Sequence, residues 1–228
     1  MLKQKEILGQ FNMLSNLKKR ILTSFILFFL LSLMIIDTFV LTYFLIIISA
    51  FSLIEYFKMI SIIFKKNKLK QLLCNLFFII YIFALSSYFV IFSSFFHLKM
   101  IIFIILFTCV ASDVGGFVFG KIFKGLKLTK ISPNKTVSGS IGSFLFSILF
   151  ITFIFFQFTG TLNLLVPVIG FIISLGVQIG DLFFSSLKRK SSLKDTGNYL
   201  PGHGGILDRI DGILLGLPVG FLSIVLIY

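Results

Sequence analysis

The 228-residue sequence has no tryptophan, two cysteines, two histidines and only eight acidic residues. Charged residues make up 13% of it, about half the share of an ordinary soluble domain. No stretch between its apolar runs is long enough to bury a core, and there is neither an internal repeat nor a low-complexity linker. A soluble globular domain is therefore excluded. Cys74 and Cys109 sit in separate apolar segments. They provide no disulfide framework and no thiolate metal site, and read as small buried hydrophobes.

What is present is mostly hydrocarbon. Hydrophobic residues reach 57%, phenylalanine alone numbers 32, and the mean hydropathy is +1.09. Long apolar runs read as membrane spans. The expected fold is an all-α polytopic membrane protein with about seven transmembrane helices, eight or nine if a long run such as 71–96 is broken. The spans fall near 21–36, 38–57, 71–96, 98–120, 139–159, 163–186 and 204–227, in one integral-membrane domain covering 1–228. Only Asp37 separates the first two spans, which predicts a tight hairpin. The first span is short, roughly 24 Å at 1.5 Å per residue. Residues 1–20 are basic, with Leu2, Ile7, Leu8, Phe11, Leu14 and Leu17 at helical spacing, as in an amphipathic surface helix. No small-residue cleavage site follows, so this segment is expected to be retained.

The net charge of +13 is arranged by side of the membrane. Five basic residues lie in each of 1–20, 58–70, 121–135 and 188–209, and Lys99 is the one remaining. Alternate connectors are thus lysine-rich, and the positive-inside rule puts them and the N-terminus in the cytoplasm. This distribution marks a membrane face and not a nucleic-acid surface.

Against this background the polar residues gather. Asp113 and four acids between Asp181 and Asp211 make up five of the eight acidic residues. Asp181 lies within a span, where a carboxylate is costly and points to function. Asp208 and Asp211 are three apart and share one face of the last helix. Asp195, Lys188, Arg189, Lys194 and Arg209 surround them. Gly202, Gly204 and Gly205 flank His203, and glycines allow close backbone approach to a phosphate. Acids, cations and a glycine-rich turn together suit a divalent metal holding phosphates. A second cluster runs from Asp113 through Gly115, Gly116, Gly120 and Lys121 to "ISPNKT", which offers Ser132, Lys135 and Thr136.

The stretch Ser185–Asp211 resembles the signature of the phosphatidate cytidylyltransferases. Its fixed positions are met by Ser185, Leu187, Lys188, Arg189, Lys194, Asp195, Gly197, Leu200, Pro201, His203, Gly204, Gly205, Ile206, Asp208, Arg209, Ile210 and Asp211. "ISPNKT" and the pattern from Asp113 to Lys121 follow the family's order, so motifs cover roughly 105–228. The sequence departs at Ser138, where the family usually has an acid, and at Phe117, where it has Tyr.

The resemblance implies transfer of a cytidylyl group from CTP to phosphatidate in the bilayer, with Mg²⁺ as cofactor. It leaves room for a second, monovalent cation and for a homodimer. It implies Asp181 and Asp208 as metal ligands, and position on the helix adds Asp211. The expected catalytic set is Asp181, Asp208, Asp211, Asp195, Lys194 and His203. The expected substrate contacts are Lys188, Arg189, Arg209, Gly204, Gly205, Ser132, Lys135, Thr136, Asp113 and Lys121. A phosphate monoester has its second pKa near 6, so the nucleophile is already ionised. His203 then fits a phosphate donor or loop orienter better than a base.

The implied setting is a bacterial cytoplasmic membrane with the site on its inner side. Another lipid acceptor for CTP and an ion or lipid transporter are the alternatives. The CDP-alcohol phosphotransferases need two further aspartates after Asp211-Gly212, and this sequence has none there.

Overall fold

The structure is a computed structural model that describes residues 25–26, 29–129, 131–132, 135–199 and 204–227. The amphipathic segment predicted at 1–20 lies outside them. Helix α1 is described over 29–36. It is followed by α2 (Thr38–Ile63), α3 (Lys68–Ser93), α4 (Phe96–Phe123), α5 (Val137–Thr159), α6 (Leu165–Lys190) and α7 (Leu207–Ile227). Six of these, α2 to α7, are long and apolar enough to cross a membrane. Helix α1 falls in the predicted first span, whose start is outside the described residues. Among the described residues the only β-type pairing is an isolated bridge between Lys127 and Thr136. The protein is an all-α integral membrane protein.

Short polar caps end the greasy helices where the sequence provides them. Asp37 accepts from the Phe39 N–H (2.7 Å) and starts α2. Asn67 accepts from Lys70 N–H (3.0 Å) at the start of α3. Thr136 accepts from Gly139 N–H (3.1 Å) at the start of α5. Several helices run past their predicted ends: α2 continues to Ile63 instead of 57, and α6 to Lys190 instead of 186. Lysines on these terminal turns can reach water along the helix surface, so charge does not break the helix.

Neighbouring helices approach at glycines, as small residues allow in a membrane. In α4 and α5, a Cβ on Gly115 would meet the Gly142 carbonyl at 2.4 Å. In α6 and α7, a Cβ on Gly176 would lie 3.1 Å from the Gly216 Cα, and one on Gly180 would lie 2.6 Å from the Asp211 carbonyl. Gly180 therefore sits level with Asp211. Helix α6 continues ten residues beyond that level, about 15 Å, whereas α7 begins only four residues before it. Helix α7 thus starts in a recess beside this overhang, with Thr196 and Gly205 held against its first turn.

Ile102, Ile105 and Cys109 of α4 pack with Ile169, Ile173 and Val177 of α6 and Leu217 of α7. On the other side, Tyr56, Met59 and Ile60 of α2 and Phe78 and Ile82 of α3 pack with Phe184 of α6 and Leu207 and Leu214 of α7. The cysteines are free, as expected, with Cys109 buried.

Pro218 lies inside α7. It has no N–H, so the Leu214 carbonyl loses its helical partner. Tyr81 of α3 donates its hydroxyl to that carbonyl. In hydrocarbon an unpaired carbonyl has no water to turn to. Tyr81→Phe is expected to cost about 1–3 kcal/mol, read as a lower thermal midpoint in detergent. Adding Pro218→Ala should recover most of the loss, because alanine restores the missing N–H.

Candidate active site

The connector between α4 and α5 doubles back on itself before it reaches the site. Leu128 N–H donates to the Lys135 carbonyl (2.8 Å) and Val137 N–H to the Leu126 carbonyl (2.9 Å). Ser138, standing where an acid is usual, donates to the Lys124 carbonyl and shares a 3.0 Å contact with Thr136 Oγ1. Arg189 Nε of α6 donates to the Ile131 carbonyl (3.3 Å) and ties the connector to α6. These bonds aim Lys135 inward. Its Nζ lies 2.5 Å from Asp181 Oδ2, with both side chains largely covered.

Asp181 has two carboxylate neighbours. Asp211 of α7 is within hydrogen-bond reach, and Asp113 of α4 interacts with both Asp181 and Lys135 through its charge. Two carboxylates this close repel unless a proton or a cation lies between them. Gly212 gives Asp181 its space: a Cβ there would come within 2.9 Å of Asp181 Oδ1. Lys188 of α6 lies 2.7 Å from Asp208 Oδ1 and 3.7 Å from Asp211 Oδ2. Two lysines thus face four carboxylates on α4, α6 and α7.

Asp208 is the most tightly held of the four. Its Oδ2 accepts from Thr196 N–H (2.8 Å) and Gly205 N–H (3.3 Å), and lies 3.0 Å from Thr196 Oγ1. Gly204 adopts a left-handed φ of 87°, which favours glycine.

The structure brings together Asp113, Lys135, Asp181, Lys188, Asp208 and Asp211 from the predicted set. Thr136 caps α5, and Ser132 turns the backbone by accepting from Lys135 N–H (3.1 Å). Lys194, Asp195 and Arg209 are exposed around the rim. Lys121 is directed elsewhere, 5.7 Å from the centroid of the exposed Phe117 ring. His203 lies outside the described residues. Among the described residues no three His, Cys, Asp or Glu side chains form a ready metal cage.

One residue of the site was missed from sequence. Glu55 of α2 is 2% exposed. It accepts from Thr196 Oγ1 (2.6 Å), Ile206 N–H (3.0 Å) and Leu207 N–H (2.8 Å). Its signal was available: a lone glutamate inside an apolar span.

Lys188 carries the counter-charge for two partly buried carboxylates. Lys188→Met is expected to lower stability by about 2–4 kcal/mol. Lys121→Met should stay within about 0.5 kcal/mol of wild type. Thermal unfolding in detergent checks both.

Residues 62–227 match the cytidylyltransferase family. Among curated relatives, a phosphatidate cytidylyltransferase of Staphylococcus saprophyticus is 44% identical over 119 residues, 51% of this chain and 45% of the relative. Its namesake in Helicobacter pylori is 45% identical over 116 residues, 49% of this chain and 42% of the relative. That of Synechocystis is 35% identical over 136 residues, 56% of this chain and 44% of the relative. The chain thus spans less than half the length of each. The matched residues carry all six members of the carboxylate–lysine cluster, and the chain belongs to the cytidylyltransferase family.

Proposed function

We propose that this protein is a phosphatidate cytidylyltransferase, joining CTP and phosphatidate to give CDP-diacylglycerol and pyrophosphate. The observation that carries this reading is the recessed cluster of four carboxylates and two lysines, set on helices long and apolar enough to cross a membrane and on the connector that leads into α5. The three relatives carry that name.

In the proposed reaction, an oxygen of the lipid phosphate attacks the α-phosphorus of CTP. A new P–O bond forms there, the bond from the α-phosphorus to the oxygen bridging to the β-phosphate breaks, and pyrophosphate leaves. The nucleophile is already an anion, so the protein's main task is to bring two polyanions together in line. Lys135 and Lys188 are placed to exchange their carboxylate partners for phosphate oxygens. Arg189 and Arg209 on the rim suit the outer phosphates of CTP. The lipid tails would stay in the bilayer while the headgroup enters the recess. By the positive-inside rule this side faces the cytoplasm, in keeping with a bacterial inner membrane.

The donors fit Mg²⁺, which takes one or two carboxylates together with phosphate and water oxygens and needs no full protein cage. Asp181 and Asp211, which abut, would hold it. Asp208 would add Oδ1, since its Oδ2 already accepts N–H donors. Bound there, Mg²⁺ would neutralise phosphate charge and favour the leaving pyrophosphate.

Purified protein in mixed micelles with phosphatidate and [α-³²P]CTP tests this. Mg²⁺-dependent label in organic-extractable lipid is expected, with Asp208→Asn and Asp211→Asn each reducing it at least about 100-fold. Folded protein that labels no lipid from phosphatidate, or labels a different acceptor instead, would contradict the reading.

A further inference from the structure

Glu55 lies outside the residues that match the family, yet it holds the family's signature loop in place. Its carboxylate sits at the N-terminus of α7 and accepts the two N–H groups of Ile206 and Leu207. These are donors that a helix start leaves without partners. The positive end of the helix dipole favours a carboxylate there. A neutral side chain within the loop could serve as an ordinary cap. Here the cap comes from a helix some 150 residues away, and it also grips the loop through Thr196 Oγ1 at 2.6 Å.

Thr196 connects this anchor to the site. Its backbone N–H donates to Asp208 Oδ2, and its hydroxyl stands between Glu55 and Asp208. The hydroxyl has one hydrogen, and the shorter contact assigns it to Glu55. Asp208 is also one residue beyond Leu207, whose N–H Glu55 holds. Both routes from Glu55 end on the same carboxylate.

Two signature glycines make room for this contact. A Cβ on Gly197 would lie 2.4 Å from Glu55 Oε1. A Cβ on Gly205 would lie 2.0 Å from Thr196 Oγ1 and 2.7 Å from Glu55 Oε2. Their small size is required by a buried acid on another helix.

We propose that Glu55 is a positioning residue, acting through Thr196 and the first turn of α7 to fix Asp208 for the reaction. This rests on the reading of Asp208 as part of the cytidylyl-transfer site. Glu55→Ala removes all three contacts, and Glu55→Gln keeps the shape and one acceptor oxygen in case the alanine variant does not fold.

Amide hydrogen exchange in detergent is the first readout. At Thr196, Ile206 and Leu207 it is expected to speed up about tenfold or more in Glu55→Ala, and at Ile206 or Leu207 in Glu55→Gln, with α4 and α5 unchanged. Kinetics are the second. Label transfer by Glu55→Gln should lose about tenfold in kcat, with KM for CTP near the wild-type value. Thr196→Val combined with Glu55→Gln should be little worse than the poorer single variant.

Exchange that stays at the wild-type rate in the loop, or rises uniformly through the bundle, would overturn the proposal. So would multiplicative losses in the double variant, or an unchanged kcat per folded molecule. If wild-type protein transfers no cytidylyl group at all, the proposed activity fails, and the exchange pattern alone then decides whether Glu55 anchors the loop.

Discussion

Four carboxylates placed together repel one another, and most of the local structure can be understood as the means of holding them there. Asp113, Asp181, Asp208 and Asp211 arrive from three helices. Lys135 and Lys188 face them from the 131–136 connector and from α6. Burial makes every uncompensated charge expensive, so each lysine is itself pinned by its surroundings. The α4–α5 connector folds back to aim Lys135. Lys188 is largely covered and bonds to Asp208. The remaining negative charge suits a divalent cation.

Close helix approach makes the cluster possible. The Gly180–Asp211 and Gly176–Gly216 contacts press α6 onto α7, which sets Asp181 beside Asp211. The same register leaves α6 overhanging the start of α7. A polar recess then forms inside a bundle whose outer surface remains apolar: Phe117, Phe158 and Leu226, for example, are all more than two-thirds exposed. Apolar flanks thus surround a polar cluster of carboxylates and lysines.

Much of this was legible in sequence. Apolar runs revealed the spans. Asp181 and the Asp208/Asp211 face stood out because acids are so scarce here. Helix ends were less legible, since a lysine such as Lys58 can continue a helix and still reach water. The Lys135–Asp181 pair joins residues 46 apart, a match that helical spacing cannot disclose. Glu55 was least legible. Its partners are 141 to 152 residues away, and nothing within its own helix indicates them. The glycines near His203 read from sequence as room for a phosphate. At Gly197 and Gly205 the structure shows room for Glu55 and Thr196.

The central claim is that the cluster holds surplus negative charge matched to a divalent cation. Mn²⁺ is a paramagnetic stand-in for Mg²⁺, and its binding to the purified protein can be followed by electron paramagnetic resonance without any turnover. The account predicts a saturable site from which Mg²⁺ displaces Mn²⁺, and which is lost in Asp181→Asn and in Asp211→Asn. A binding curve that these substitutions leave unchanged, or no saturable binding to folded wild-type protein, would contradict it.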